Sequence, residues 1–272
     1  MKSPALSAIG TMPSVSNKRN RRMTVIMEML AERGRIALPE LSTELGVSAS
    51  TIRRDLAILV DQRLLVRTHG GAQLLDSRQE LPVSLRDTRS QAAKMAIAQA
   101  TLAYIPRTMF AIGMSGGTTT ATLARALVTA GYDQLRIVTN SLTIAQMVAS
   151  APHLKLSMSG GNLRTESLEL VGMLAESTFN AINLGIAVLG ADGVTAEGVT
   201  TYDETEARTN RAMASHASQV IVVIDGSKVG RLTLAQVMPI EQVDVLVTDS
   251  TADPAIVERI RQAGVKVDIV AV

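Results

Sequence analysis

From residue 91 onward, seven short apolar runs rich in β-branched residues alternate with stretches of helical periodicity, and this alternation constrains the fold more than any other feature. The runs are 108–112, 135–139, 154–158, 186–189, 220–224, 243–247 and 265–270. Helices are predicted from 91 to about 105 and at 118–130, 141–150, 170–181, 204–217 and 254–263. Strands that are apolar on consecutive residues, with helices between them, must be buried on both faces. That is the signature of a mostly parallel sheet with helices on both sides.

In such a sheet, ligands sit beyond the C-terminal ends of the strands, and five of those exits are polar or glycine-rich. Ser115, Gly116, Gly117, Thr118 and Thr119 follow the first run, and Asn140-Ser141 the second. Ser159-Gly160-Gly161 follows the third, with Arg164 close behind; Gly190-Ala191-Asp192-Gly193 and Asp225-Gly226-Ser227-Lys228 follow later ones. Glycines let backbone N–H groups approach an anion, and a helix N-terminus adds its positive end. The same turns also suit plain tight connections, so one exit alone carries little weight; five in one sheet carry more. No GxxxxGK[ST] is present and GMSGGT lacks the G-x-G-x-x-G spacing. Neither a P-loop nor a dinucleotide fingerprint is read here, and no cofactor is expected.

The first quarter of the chain reads differently. Met23, Ile26, Met27 and Leu30 form one helical stripe that ends at Arg33-Gly34. A short strand follows at Ile36, and Pro39 opens a helix to Leu45. After the Gly46-Val47-Ser48 turn, Ser48 or Ser50 caps a helix running to about Gln62. Ile52, Leu56, Leu59 and Val60 point to a core, while Ser50, Arg53, Arg54 and Ala57 lie opposite. Helix, tight turn and a second helix with Ser, Thr and Arg at its front is the helix-turn-helix layout, whose second helix reads the major groove. Residues 64–67 and 72–75, joined by Thr68-His69-Gly70-Gly71, add a β-hairpin wing.

Charge follows the same division. Residues 1–73 carry 11 Lys+Arg against 6 Asp+Glu, net +5, and residues 74–272 carry 16 against 19, net −3. A basic head on a mildly acidic body suits a polyanion at the head alone. The chain has no Cys and three His, which excludes thiolate chemistry and argues against a His-rich metal site. Aromatic residues are 2%, too few for single-strand stacking platforms. No apolar run approaches the ~18 residues of a membrane helix. Residues 1–10 lack the continuous apolar core of a signal peptide, so a cytoplasmic protein without membrane contact is expected.

The segment VSASTIRRDLAILVDQRLLVRTHGGA closely resembles the helix-turn-helix and wing of the DeoR family of bacterial transcription regulators. SGGTTT, VTNSLTIA, LSMSGGNLR, LGADGV…GVTTYDETEARTNRAM and VVIDGSKVG resemble, in order, that family's C-terminal sensor domain. The resemblance implies a body of the sugar-phosphate isomerase type that receives phosphorylated sugars. By it, Ser48, Ser50, Thr51, Arg53 and Arg54 face DNA and Arg67 and His69 belong to the wing; Asp55 holds the fold. Ser115, Gly116, Gly117, Thr118 and Thr119 would hold a phosphate, with Asn140, Gly160, Gly161, Arg164, Asp192, Asp203, Glu206 and Lys228 around the rest. Family members commonly carry Asp where Ser115 stands, a departure that bears on which sugar binds.

The expected organisation is a disordered arm (1–19), a winged helix-turn-helix (20–75), a linker (76–90) and a sensor (91–272). The expected partners are double-stranded operator DNA, a phosphorylated sugar, and further copies of the chain as a dimer or tetramer, with repression of carbohydrate genes as the function. The alternative is a sugar-phosphate isomerase-like enzyme with a DNA-binding appendage, for which Asp192, Glu206 and Lys228 offer acid–base groups. Isomerases of this type carry a Lys-Gly-Gly-rich stretch where this chain has GVTTYDE, which favours the regulator, with no catalytic residues.

Overall fold

A computed structural model describes residues 14–62, 64–74, 80, 82–86 and 90–272. The chain divides into two compact units, residues up to 89 and Ser90–Val272.

The first unit opens with α1 (Ser14–Arg33), followed by β1 (Arg35–Ala37), α2 (Leu38–Glu44) and α3 (Ala49–Asp61). The wing is β2 (Leu65–Thr68) and β3 (Gly71–Leu74), and a last helical turn, α4, spans Val83–Arg86. Gly34 ends α1 at φ +72, donating its N–H to Leu30 O at 2.8 Å, as a left-handed helix terminus requires. β1 joins the wing in a three-stranded sheet of order β1-β3-β2. A Cβ at Gly71 would lie 2.1 Å from Ile36 O, so only glycine lets the two strands pair there. Ile26, Leu30, Ile36, Leu41, Ile52, Leu56, Leu59 and Leu65 make the core.

Two features differ from the sequence reading. Residues 14–19 of the expected arm belong to α1, because nothing from Ser14 to Arg33 is Pro or Gly and the helix has no cause to start later. Residues 1–13 lie outside the described residues. The expected linker also contributes to the head. The N–H groups of Leu85 and Arg86 donate to Pro82 O, and Leu85 is buried in the core. The Thr24 hydroxyl, itself buried, donates to Leu85 O at 3.0 Å.

The second unit runs α5 (Gln91–Thr101), β4 (Ala111–Met114), α6 (Thr118–Thr129), β5 (Arg136–Thr139), α7 (Leu142–Ala149) and β6 (Lys155–Met158). A hairpin, β7 (Asn162–Arg164) and β8 (Glu169–Val171), precedes α8 (Met173–Asn180) and β9 (Ile186–Leu189). Then come β10 (Gly193–Thr195), β11 (Gly198–Thr201), α9 (Glu204–Ser215), β12 (Val220–Val223), β13 (Ala235–Pro239), β14 (Val245–Asp249), α10 (Pro254–Gln262) and β15 (Lys266–Val270).

All seven apolar runs enter one parallel sheet of order β15-β14-β12-β9-β4-β5-β6. The inner runs are buried on both faces, as their continuity predicts, while the edge strands β6 and β15 are only partly buried. Ile186, Val188, Ile221 and Val223 pack with Ile97, Leu123, Leu127 and Ile144 of α5, α6 and α7. Their neighbours Ala187, Leu189, Val220 and Val222 pack with Phe179, Met213, Val257 and Ile260 of α8, α9 and α10. The winding proceeds outward from β4 through β5 to β6, then resumes on the other side of β4 at β9. The β4–β9 boundary is therefore the point where the winding reverses, the place where α/β sheets open a ligand crevice.

Three details depart from expectation. The first strand starts at Ala111, after a turn in which Met109 N–H donates to Pro106 O. The helix expected at 170–181 starts only at Met173, because Glu169–Val171 pairs with β7 and Gly172 at φ +92 turns the chain. The antiparallel sheet β10-β11-β13 was not expected at all.

Truncating Leu85 should test α4's place in the head. Leu85→Ala should cost the N-terminal unit about 2–5 kcal/mol, the range for an emptied leucine site. Hydrogen exchange of the full chain should show faster exchange in α1 and α3 and unchanged exchange in Ser90–Val272. Equal protection in α1 would refute the placement.

Candidate functional site

In the head, the Ser48 side chain caps α3, accepting from Thr51 N–H at 3.3 Å. The Ser48 hydroxyl also lies 2.9 Å from Ser50 Oγ and 3.0 Å from Thr51 Oγ1. Three hydroxyls thus cluster at the leading turn of the helix. Ile52, Leu56 and Leu59 are buried on its inner face. Ser50, Arg53 and Arg54 are exposed, and neither guanidinium has a partner among the described residues. Asp55 is buried and takes a two-point ion pair from Arg22 of α1, Nε–Oδ2 2.5 Å and Nη2–Oδ1 3.1 Å. That pair fixes α3's rotation about its own axis, and so decides which side chains face out. On the wing, Arg67 donates to Arg53 O at 2.8 Å and braces the hairpin against α3, while His69 is exposed in the turn.

In the second unit, the exits of β4 and β9 meet at the winding reversal. Ser115 is fully buried, and its hydroxyl accepts from Gly190 N–H at 3.0 Å. Gly116 N–H donates to Glu169 Oε1 at 2.6 Å. A Cβ on Gly116 would lie 2.4 Å from Glu169 Cγ and Cδ, so the Glu169 side chain packs in the space that a larger residue at 116 would take. Gly117 caps α6 at φ +123, a conformation that excludes other residues, and Thr118 and Thr119 open the helix. The first N–H groups of any helix have no intrahelical partner, so the start of α6 presents backbone donors at this exit. At the end of β5, Asn140 Nδ2 donates to Leu170 O, while its fully buried Oδ1 has no partner among the described residues. Ser159 Oγ, at the end of β6, is likewise buried without a partner. Gly161 (φ +136) brings the chain against the Val171 backbone, and Gly160 is unconstrained.

A second group is bound together by charge. Lys228 Nζ donates to Ala191 O at 2.6 Å and lies 3.3 Å from Asp192 Oδ1. Thr201 Oγ1 is 3.0 Å from Asp192 Oδ2 and 2.7 Å from Glu206 Oε1. Arg164 pairs with Glu206 at 3.0 Å and reaches Asp203 at 3.6 Å. Asp203 also caps α9, accepting from Thr205 and Glu206 N–H. Burial, and after it the carboxylates of Glu169 and Asp192, holds the Glu206 carboxyl well above the ordinary carboxylate range. Arg164 and the Thr201 hydroxyl pull the other way, but Arg164 is shared with Asp203.

The residues predicted from sequence thus fall into two sets. Arg164, Asp192, Asp203, Glu206 and Lys228 form one bonded network, while Ser115 joins the β9 exit through Gly190 and Gly116 is bonded to Glu169. Thr118, Thr119, Asn140, Gly160 and Gly161 stand at the strand exits without a side-chain bond to that network. Glu169 and Thr201 were not singled out, and Ser159 was named only as part of a polar strand exit. Thr201 lay inside a quoted motif, whereas Glu169 sat beside an expected helix with no signal of its own.

A winged helix-turn-helix joined to an α/β unit with polar strand exits at its winding reversal defines the class of ligand-responsive transcription regulators. The DeoR-like helix-turn-helix domain matches residues 22–78, and the DeoR C-terminal sensor domain matches residues 89–250. The chain belongs to the DeoR family of transcription regulators. It is 34% identical over 252 residues to the HTH-type transcriptional regulator GlpR of Haloferax volcanii, covering 92% of this chain and 96% of that protein. It is 32% identical to the glycerol-3-phosphate regulon repressor of Escherichia coli K12, covering 86% and 92%. The lactose phosphotransferase system repressor of Lactococcus lactis is 30% identical, covering 90% and 96%. No described helix is long and apolar enough to cross a membrane.

The raised carboxyl of Glu206 sets a pH dependence. A carboxyl lifted above its unfolded value contributes its full stability below the ordinary carboxylate range and loses it as pH rises through the lifted value. Glu206→Gln keeps the shape and removes the ionisation. The variant's melting temperature should therefore gain on the wild type as pH rises from the carboxylate range to neutrality and above. A difference that is constant with pH, or that shrinks, would show that Glu206 titrates normally.

Proposed function

We propose that this protein represses carbohydrate-metabolism genes by binding duplex operator DNA, and that a phosphorylated sugar in the second unit releases or modulates it. The observation that carries the DNA half is α3 itself. Its inner face and Asp55 are committed to the fold, which leaves Ser50, Thr51, Arg53 and Arg54 for the major groove. Two-fold operators favour at least a dimer of the chain.

The effector half is supported by charge placement. Glu169, Asp192, Asp203 and Glu206 outnumber Arg164 and Lys228, so the carboxylate side of the crevice suits sugar hydroxyls, which donate hydrogen bonds. The first turn of α6 is where a phosphate fits best. The names of the glycerol-3-phosphate and lactose phosphotransferase relatives point toward the same ligand class. Lys228, spent on Ala191 O and Asp192, supports binding rather than turnover.

Fluorescence anisotropy with duplexes from the promoter of the protein's own gene tests this reading. Operator affinity should fall on adding one member of a sugar-phosphate panel and stay unchanged with the unphosphorylated sugar. A panel that leaves binding unaltered refutes the effector half. Arg54→Ala should cost about 1–3 kcal/mol on operator DNA and less on random DNA, as loss of a guanine contact does. Arg53→Ala should weaken both alike and lower the salt slope by about one. Equal losses on both DNAs for both variants would refute base reading by α3.

A further inference from the structure

The crevice already holds an anion, and it belongs to the protein. Glu169 is buried, and its Oε1 accepts the Gly116 N–H at 2.6 Å. This is the donor immediately before the Gly117 cap and the open first turn of α6. The fit is close: Glu169 Cγ and Cδ fill the space that a Cβ on Gly116 would take. A phosphoryl group placed on this loop would meet two obstacles. One N–H cannot serve two acceptors well, and a carboxylate beside the phosphoryl oxygens repels them, strongly where water is excluded.

The backbone around Glu169 is pinned. Leu142 N–H donates to Leu168 O at 3.0 Å and Leu170 N–H to Asn140 O at 2.8 Å, one on each side of it. Asn140, which receives the second of these bonds, carries the buried Oδ1 that has no partner among the described residues. The loop between β4 and α6 thus has an acceptor already in place, and the neighbouring exit has an acceptor waiting for a donor. With the backbone held, only rotation of the Glu169 side chain can free Gly116 N–H.

We propose that Glu169 is a resident anion that occupies the loop in place of the effector's phosphoryl group and must swing away for that group to bind. The proposal rests on the effector reading given above. Glu169 thereby sets the affinity threshold of the sensor: the ligand binds only by the margin with which its phosphate outcompetes a tethered carboxylate. It also selects dianionic phosphoryl groups over monoanions, which offer no advantage over the carboxylate they displace.

The test is Glu169→Gln in the full chain, with inorganic phosphate as the probe. Melting temperature is followed against phosphate concentration at constant ionic strength in chloride, and half-saturation is read by mass action. The amide keeps the shape and an acceptor for Gly116 N–H but loses the charge. The variant should saturate at about tenfold lower phosphate than the wild type, the effect of removing one partly screened like charge. A role confined to stability would shift the melting temperature in chloride alone and leave the phosphate dependence where it was. Equal or weaker phosphate binding by the variant overturns the proposal while leaving the effector reading in place. Phosphate stabilising neither protein overturns both. Should Glu169→Gln fail to fold, Glu169→Ala, which removes the side chain entirely, serves the same comparison.

Discussion

The structure turns on the parallel pairing of β4 with β9. These strands are distant in sequence, and the chain winds away from their boundary in opposite directions. Helices can cover both faces of such a sheet but leave the exits at the boundary uncovered, so a crevice there is a geometric result of the winding. Several polar groups of the second unit meet at that boundary. The Ser115 hydroxyl bridges it to Gly190, Glu169 reaches the loop from the β7–β8 hairpin, and Lys228 arrives from beyond β12. Without the β4–β9 ladder these groups would have no common place to meet.

Much of this was legible in the amino-acid sequence, for a physical reason. A strand buried on both faces leaves a continuous apolar run, as β4, β9 and β12 do, while the edge strands β6 and β15 carry only the apolar half of an alternating pattern. Three-residue strands show neither, since three residues are too few to distinguish period two from period 3.6. That is why β7, β8 and β10 were invisible, and why residues 170–172 looked like the start of a helix. The single turn of α4 was lost for a similar reason: Leu85 is one apolar residue in a polar stretch, and only the α1 surface shows what it packs against.

The residues of the crevice were legible by type more than by role. Gly116 was expected to let an anion approach the backbone, and an anion does approach it, but the anion is Glu169. Arg164 and Lys228 were expected to line the site, and each is engaged there by carboxylates of the same site. Motif spacing identifies which strand exits are polar. It says nothing about which exits bond to one another, because that depends on strand order.

In the head, the side chains that hold the fold are distinct from those proposed to meet DNA. Arg22 and Asp55 hold α3 in place from its inner side, and Ser48 caps it. Arg53 and Arg54 hold nothing among the described residues. Substitutions at those two positions carry little folding penalty, so selection can act on them through operator choice alone. A duplicated copy of such a gene is therefore free to drift toward a new set of promoters while its scaffold stays intact. The division of labour around one buried ion pair makes the recognition surface evolvable.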